Sequence, residues 1–232
     1  MDVPLVQICD NMPLDAFSDT ELDELAEYAR GQGVAVQPGT RGIGRDHLSR
    51  YLKIAKKFGS GLVRTLTDTK DHEPGTDEIV GLLKASAPDY KDAGILLAVE
   101  NHDRLSTSDF VSIMKQVDSP SVGLCLDTVN SFGSLEGPET VIDRLLPYTV
   151  NLHVKDFRIY REPHKMGFRI EGTPAGEGRL DIRGLFARIR ASGRETDAIL
   201  ELWTPPVGGI RETIQREKDW AKRSISYLRG II

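Results

Sequence analysis

Glu100, Asp127, His153 and Glu201 each stand at or near the end of a short apolar run. They follow one another at 27 (127 − 100), 26 (153 − 127) and 48 (201 − 153) residues. Three carboxylates and one imidazole are donors suited to a borderline-hard divalent cation. Mn2+, Mg2+, Co2+ and Zn2+ all fit, with positions left for substrate oxygens. A single acid at a strand end is more often a helix cap or an ion-pair partner than a ligand. Four such residues in phase point to one metal centre. A cation held there would polarise a carbonyl and an adjacent hydroxyl and stabilise an enediolate. Glu100 or Glu201 would remove the proton beside the carbonyl, and the opposite carboxylate or Lys155 would return it.

Other polar residues share the phase of these four. Lys155, two residues after His153, faces the same side by strand alternation. It would hold a substrate carboxylate or phosphate, move a proton, or simply pair with a carboxylate such as Glu100. Arg64 lies in the run "LVRTL" and calls for an anionic partner, which makes it a substrate-binding candidate. Gln7 is a weaker one. His102 contacts substrate or supports a ligand carboxylate. Asn130 and Arg158 are further candidates for substrate contact. The stretch "GFRIEGTPAGEG" (167–178) has the composition of an ordered loop beside an active site. Its Glu177 would bond a substrate hydroxyl or a basic neighbour, unless the glycines merely make the turn. His47 and His72 read as solvated.

What must position these residues is a regular alternation. Apolar runs at 4–9, 34–39, 61–66, 95–100, 122–127, 149–154 and 198–203 read as strands, with amphipathic helical patterns between them. In "SDTELDELAEYARGQG", Ser18 and Glu21 make a capping box, Leu22, Leu25, Ala26 and Ala29 form one face, and Gly31 or Gly33 ends the helix. Pro88 is expected to break or restart the helix before the fourth strand. Trp220, Ile225 and Leu228 mark the inner face of a long final helix.

Strands alternating with helices imply a parallel α/β protein. Neither G-x-G-x-x-G nor G-x-x-x-x-G-K-[ST] follows the first strands, which disfavours an open nucleotide-binding sheet. The expected architecture is therefore one (β/α)8 TIM-barrel domain over residues 1–232. Its active site lies at the C-terminal strand ends. Seven strands are counted where a barrel has eight, so the first βα unit is expected to be missing, leaving an opening between the strands near Val6 and Glu201.

Composition narrows the partners. With 30 basic and 35 acidic residues the net charge is −5, unlike the basic footprint of a nucleic-acid-binding protein. No segment reaches the roughly 18 apolar residues of a membrane span, and no secretory signal opens the chain. Cys9 and Cys125 lie in apolar runs and read as buried thiols of a reducing compartment. A cytoplasmic enzyme acting on a small carbohydrate or keto acid is expected, and a homo-oligomer is compatible with the sequence.

The stretches "AVENH", "LCLDTVNS", "NLHVKDFR", "GTPAGEGRLD" and "ILELW" resemble the sugar phosphate isomerase/epimerase superfamily, the xylose isomerase-like TIM barrels. The resemblance spans nearly the whole chain with the motifs in order, and "LVQICDN" is similar to that family's second strand. It implies that Glu100, Asp127, His153 and Glu201 are the metal set, and that in epimerase members the two glutamates shuttle the proton. It also exposes a departure: many sugar epimerases place a substrate-binding histidine three residues after the metal aspartate, where this chain has Asn130. An amide hydrogen-bonds but does not take up a proton. The leading expectation is a metal-dependent sugar isomerase or epimerase. The runner-up is a lyase that reaches the same intermediate by losing CO2 or water from a keto acid. A multi-zinc DNA endonuclease is disfavoured by only five histidines and the acidic charge, and a non-catalytic degenerate barrel by the complete quartet.

Overall fold

A computed structural model describes residues 1–232. The chain alternates strand and helix: β1 (Leu5–Ile8), α1 (Asp19–Gly31), β2 (Ala35–Arg41), α2 (Arg45–Phe58), β3 (Leu62–Leu66), α3 (Thr76–Ala93), β4 (Leu96–Glu100), α4 (Thr107–Val117), β5 (Val122–Asp127), α5 (Pro138–Leu145) and β6 (Thr149–Val154). An antiparallel hairpin follows, β7 (Asp156–Arg161) with β8 (Phe168–Thr173), then α6 (Ile182–Ala191), β9 (Asp197–Leu200) and α7 (Ile210–Arg229). Seven strands pair in parallel in the order β1-β2-β3-β4-β5-β6-β9. This is a nearly closed TIM barrel.

Local chemistry sets the boundaries. Ser18 Oγ accepts from Glu21 N at 3.3 Å while Glu21 Oε2 accepts from Ser18 N at 2.8 Å, the reciprocal cap that starts α1. Gly59 and Gly94 end α2 and α3 at φ of 66° and 65°, a left-handed turn that costs glycine nothing. Pro88 does not break its helix, contrary to expectation, for α3 runs through it. Pro88 and Lys84, whose carbonyl it leaves without a helical partner, both lie on the exposed side, where water replaces the lost bond. The core sits between sheet and helices, with Leu48, Ile54, Ile79, Leu97, Phe110, Leu124 and Leu152 fully or nearly fully buried.

β1 and β9 do not pair, so the ring stays open between them as the strand count implied. The opening is a groove of about 710 Å³ lined by Val6, Ile199, Leu200, Ala221 and Ile225, with Gln7 and Asp197 among its polar residues. Because the seam is unfilled, α7 buries its inner face only in part. Leu228 is buried, but Trp220 and Ile225 are half-exposed. The stretch 167–178, expected to be a loop, holds β8, the second strand of the β7–β8 hairpin, and the return from it. Its register pairs Asp156 with Thr173 and Arg161 with Phe168.

Candidate metal centre at the barrel mouth

Glu100 and Asp127 are the last residues of β4 and β5, His153 lies opposite Asp127 on β6, and Glu201 follows β9 directly. The parallel register thus brings four sequence-distant side chains to one level. One ligand atom from each lies within 4.8 Å of all the others. His153 Nδ1 stands 3.1 Å from Glu100 Oε2, 2.6 Å from Glu201 Oε2 and 3.9 Å from Asp127 Oδ2. Glu100, Asp127 and His153 are fully buried, whereas the Glu201 side chain is 40% exposed at the rim.

The residues fit a cation. Asp127 Oδ2, His153 Nδ1 and Glu201 Oε2 are buried and converge on one point, and none of them has a well-aligned hydrogen bond. Buried polar atoms are rarely left that way, and each carries a lone pair suited to a metal. The remaining atoms of the ligands are occupied. Asp127 Oδ1 accepts from the amides of Val129 and Asn130 at 2.8 and 2.7 Å, so its other oxygen is turned inward. His153 Nε2 bonds Gln7 Oε1 at 2.7 Å, leaving Nδ1 for the centre. An alternative set, Glu100, Cys125 and His153, shares two members one layer deeper.

Arg64, Lys155 and Asn130 adjoin the quartet. Arg64 donates from Nε to Glu100 Oε2 and from Nη1 to the Thr40 carbonyl at 3.1 Å. Asn130 spends its amide inside the site: Nδ2 donates to Glu100 Oε1 at 2.7 Å, and Oδ1 accepts from Lys155 Nζ at 3.0 Å. Lys155 Nζ is also 3.0 Å from Asp127 Oδ2 and 3.1 Å from Glu201 Oε1. Lys155 therefore pairs with Asp127 and Glu201, not with Glu100.

Electrostatics follow from this packing. Burial opposes ionisation of Glu100, yet His153 and Arg64 outweigh it and hold the carboxyl well below the usual range. Burial likewise opposes the charge on His153, but the acidic groups around it, Cys125 and Glu100 foremost, hold the imidazole well above 6.5. Burial raises Asp127 despite Lys155. Glu201 is lowered because His153 and Lys155 outweigh its burial. Lys155 is raised because Asp127 and Glu201 overcome desolvation of the ammonium.

Three candidates lie elsewhere. His102 pairs through Nδ1 with Asp103 at 3.0 Å and supports no ligand carboxylate. Arg158 donates from Nε and Nη2 to the Glu177 carbonyl at 3.0 and 2.9 Å. The Glu177 carboxylate pairs with Arg223 of α7, so these residues tie the hairpin and its return to the last helix. The return loop is organised by the buried Asp156, whose carboxylate accepts from the amides of Gly176 and Gly178, both at 2.9 Å, and Leu180 at 3.1 Å. His47 is not free in solvent: its Nε2 bonds Thr40 Oγ1 at 2.7 Å and its ring packs on Tyr51. The sequence reading missed Gln37, Asn151 and Asp197, the polar layer beneath the quartet. Its signal was a polar residue at an inward position of an apolar strand, as "VAVQPG" and "TVNLHV" both show.

The family model for xylose isomerase-like TIM barrels matches residues 5–231, and the chain belongs to that family. It is 36% identical over 222 residues to the 3-oxo-isoapionate decarboxylase of Pectobacterium atrosepticum, covering 96% of this chain and 81% of that protein. Among solved structures, a xylose isomerase-like TIM barrel protein from Mycobacterium smegmatis in complex with magnesium superposes with a TM-score of 0.74. That match has 17% identity over 97% of this chain and 85% of that one. D-psicose 3-epimerase of Clostridium cellulolyticum H10, solved with D-tagatose, gives a TM-score of 0.73 at 17% identity, covering 99% and 89%. At such identities the two structures share the fold with this chain.

Proposed function

We propose that this protein is a metal-dependent decarboxylase of a small polyhydroxylated 3-oxo acid. One observation carries the choice between lyase and epimerase: both oxygens of Glu100 are engaged, one by Arg64 and the other by Asn130. Epimerisation needs a base that removes a proton and an acid that returns one to the opposite face. A carboxylate paired with the Arg64 guanidinium at one oxygen and bonded by Asn130 at the other is a poor proton acceptor. Glu201 at the rim and Lys155 beside it remain for proton handling. Decarboxylation needs only one donor, because the electron pair comes from the broken C–C bond.

Glu100, Asp127, His153 and Glu201 would hold the cation, which supplies Lewis-acid polarisation of the substrate carbonyl and stabilises an enediolate. The residues account for the rest. Three carboxylates face two fixed cations, Arg64 and Lys155, with neutral His153 as ligand. With a divalent ion bound, that deficit of one positive charge would become an excess of one, which suits a substrate carboxylate. The C–C bond to that carboxylate breaks, CO2 leaves, and the electron pair of the broken bond stays on the carbon and is delocalised into the 3-oxo carbonyl. Lys155 gives its proton to the carbon that CO2 has left, and solvent restores the ammonium. The 36% identity to a 3-oxo acid decarboxylase supports this reading.

The test is a panel of 3-oxo acids and ketoses incubated with metal-loaded protein in D2O. Release of CO2 with one carbon-bound deuteron per turnover is expected. Deuterium wash-in and epimer formation from the ketoses without CO2 release from any acid would overturn the proposal in favour of epimerisation.

A further inference from the structure

We propose that Asp197, at the open seam, sets through Gln37 and Gln7 which nitrogen of His153 faces the metal, so that these three are positioning residues for the centre. The proposal rests on the metal-centre reading and is independent of the reaction catalysed.

The polar groups form a chain with a direction. Gln37 Nε2 donates to Asp197 Oδ2 at 2.6 Å. An ionised carboxylate only accepts, so the amide atom facing it is the NH2 and Gln37 Oε1 faces the other way. That oxygen accepts from Gln7 Nε2 at 3.2 Å and from Asn151 Nδ2 at 3.4 Å. Gln7 Nε2 also donates to Asn151 Oδ1 at 3.1 Å, so two acceptors fix its amide and turn Gln7 Oε1 to His153 Nε2 at 2.7 Å. An amide oxygen accepts, so Nε2 carries the ring proton. Nδ1, with its lone pair, then faces Glu100, Asp127 and Glu201, and it is buried without a well-aligned hydrogen bond. One assignment satisfies every pair, and the carboxylate of Asp197 starts it.

The fold makes this chain local. Gln7 lies opposite Gln37 in the β1–β2 register, and Asn151 lies opposite Asp197 in β6–β9. Asn151 and His153 are separated by one residue on β6, so the layer lies directly beneath the quartet. Gln37 and Asn151 are buried, whereas Asp197 is exposed and lines the groove at the seam. A metal-ligating histidine commonly gives its second nitrogen to such a partner, which fixes ring and tautomer. Here the partner is neutral, and its orientation is imposed from the protein surface.

Direction can be reversed as well as removed. Asp197→Asn is isosteric and offers either an oxygen or an NH2, so Gln37 loses its reason to point one way. Gln7→Glu still accepts from Nε2, but its second oxygen meets Gln37 Oε1, which Asp197 will not let turn. Combining Gln7→Glu with Asp197→Asn allows Gln37 and Asn151 to flip together, and every pair is satisfied again. Affinity for Mn2+ and Zn2+ is measured by competition with a chromophoric chelator, with circular dichroism confirming the fold of each variant. Each single substitution is expected to weaken binding by about tenfold, and the double variant to recover most of the loss. A double variant as weak as the two losses combined would overturn the relay, because simple damage to packing accumulates. The ring 15N resonances of His153 in metal-free protein, recorded at a pH above its raised titration, give a second readout: Nε2 should carry the one proton of the neutral ring, and a neutral ring protonated on Nδ1 instead would contradict the proposal. If wild-type protein took up no metal, the metal-centre reading would fail while this ring signal still decided the relay.

Discussion

Arg64 on β3 and Glu100 on β4 form a buried ion pair at the mouth of the barrel, with the guanidinium donating from Nε to one carboxylate oxygen. Both side chains are at most 5% exposed. Removing one partner of a buried pair leaves the other charge without compensation, at about 3–5 kcal/mol. Arg64→Met should therefore lower the unfolding free energy of metal-free protein by that order in urea titration. A loss below about 1 kcal/mol, typical of an exposed pair, would show that the pair is not closed to solvent.

Lys155 touches Asp127, Glu201 and Asn130 at 3.0, 3.1 and 3.0 Å, and the decarboxylase proposal makes it the proton donor. Lys155→Met should cut kcat by about 10²–10⁴-fold, the usual contribution of a positioned general acid. Metal uptake should be retained, because the ligand set is intact. Turnover within a few-fold of wild type in a steady-state CO2 assay would remove Lys155 from that role.

His153 imposes a pH dependence on the metal-free fold. Its folded value lies above the ordinary 6.5, so bound protons stabilise the fold fully below that value, and the gain is lost as pH rises through the raised one. Glu100 is depressed, so its contribution is present above the ordinary carboxylate range and lost as pH falls through its lowered value. Metal takes the place of the His153 proton, so affinity should rise with pH while the Tm of chelator-treated protein falls above neutrality. Parallel Tm curves for loaded and chelated protein across pH 5 to 9 would contradict this linkage.

Gly178 sits so close to Asp156 that a Cβ there would clash with Oδ1. Gly178→Ala should displace the carboxylate that also holds the amides of Gly176 and Leu180, and cost about 1–3 kcal/mol in thermal denaturation. An unchanged Tm would mean that the loop does not depend on Asp156.

Much of this arrangement was legible in the chain. The quartet was visible because parallel strands repeat at nearly constant spacing, so equivalent residues on successive strands recur in phase. The seam followed from the same count, for β1 and β9 had no partner strand between them. The hairpin was not legible, since "DFRIYREPHKMGFRI" mixes charge and aromatics without a clean alternation, and its pairing is a tertiary choice. His102, Arg158 and Glu177 were misplaced for a different reason. Beyond a strand end the alternation no longer fixes direction, and each residue found a nearer partner in Asp103 or, for Arg158 and Glu177, in the hairpin and α7. The engagement of Glu100 was equally hidden, because it depends on Arg64 arriving from the middle of β3 and Asn130 from beyond the end of β5.

In the proposed reaction a divalent metal at Glu100, Asp127, His153 and Glu201 is required for loss of CO2. The most direct measurement is release of ¹³CO2 from a carboxyl-labelled polyhydroxylated 3-oxo acid, comparing protein as loaded, after chelation and after metal is restored. Release that stops on chelation and returns with metal is the predicted result. Release that persists unchanged in fully chelated protein, or label retained in an isomerised acid, would contradict it.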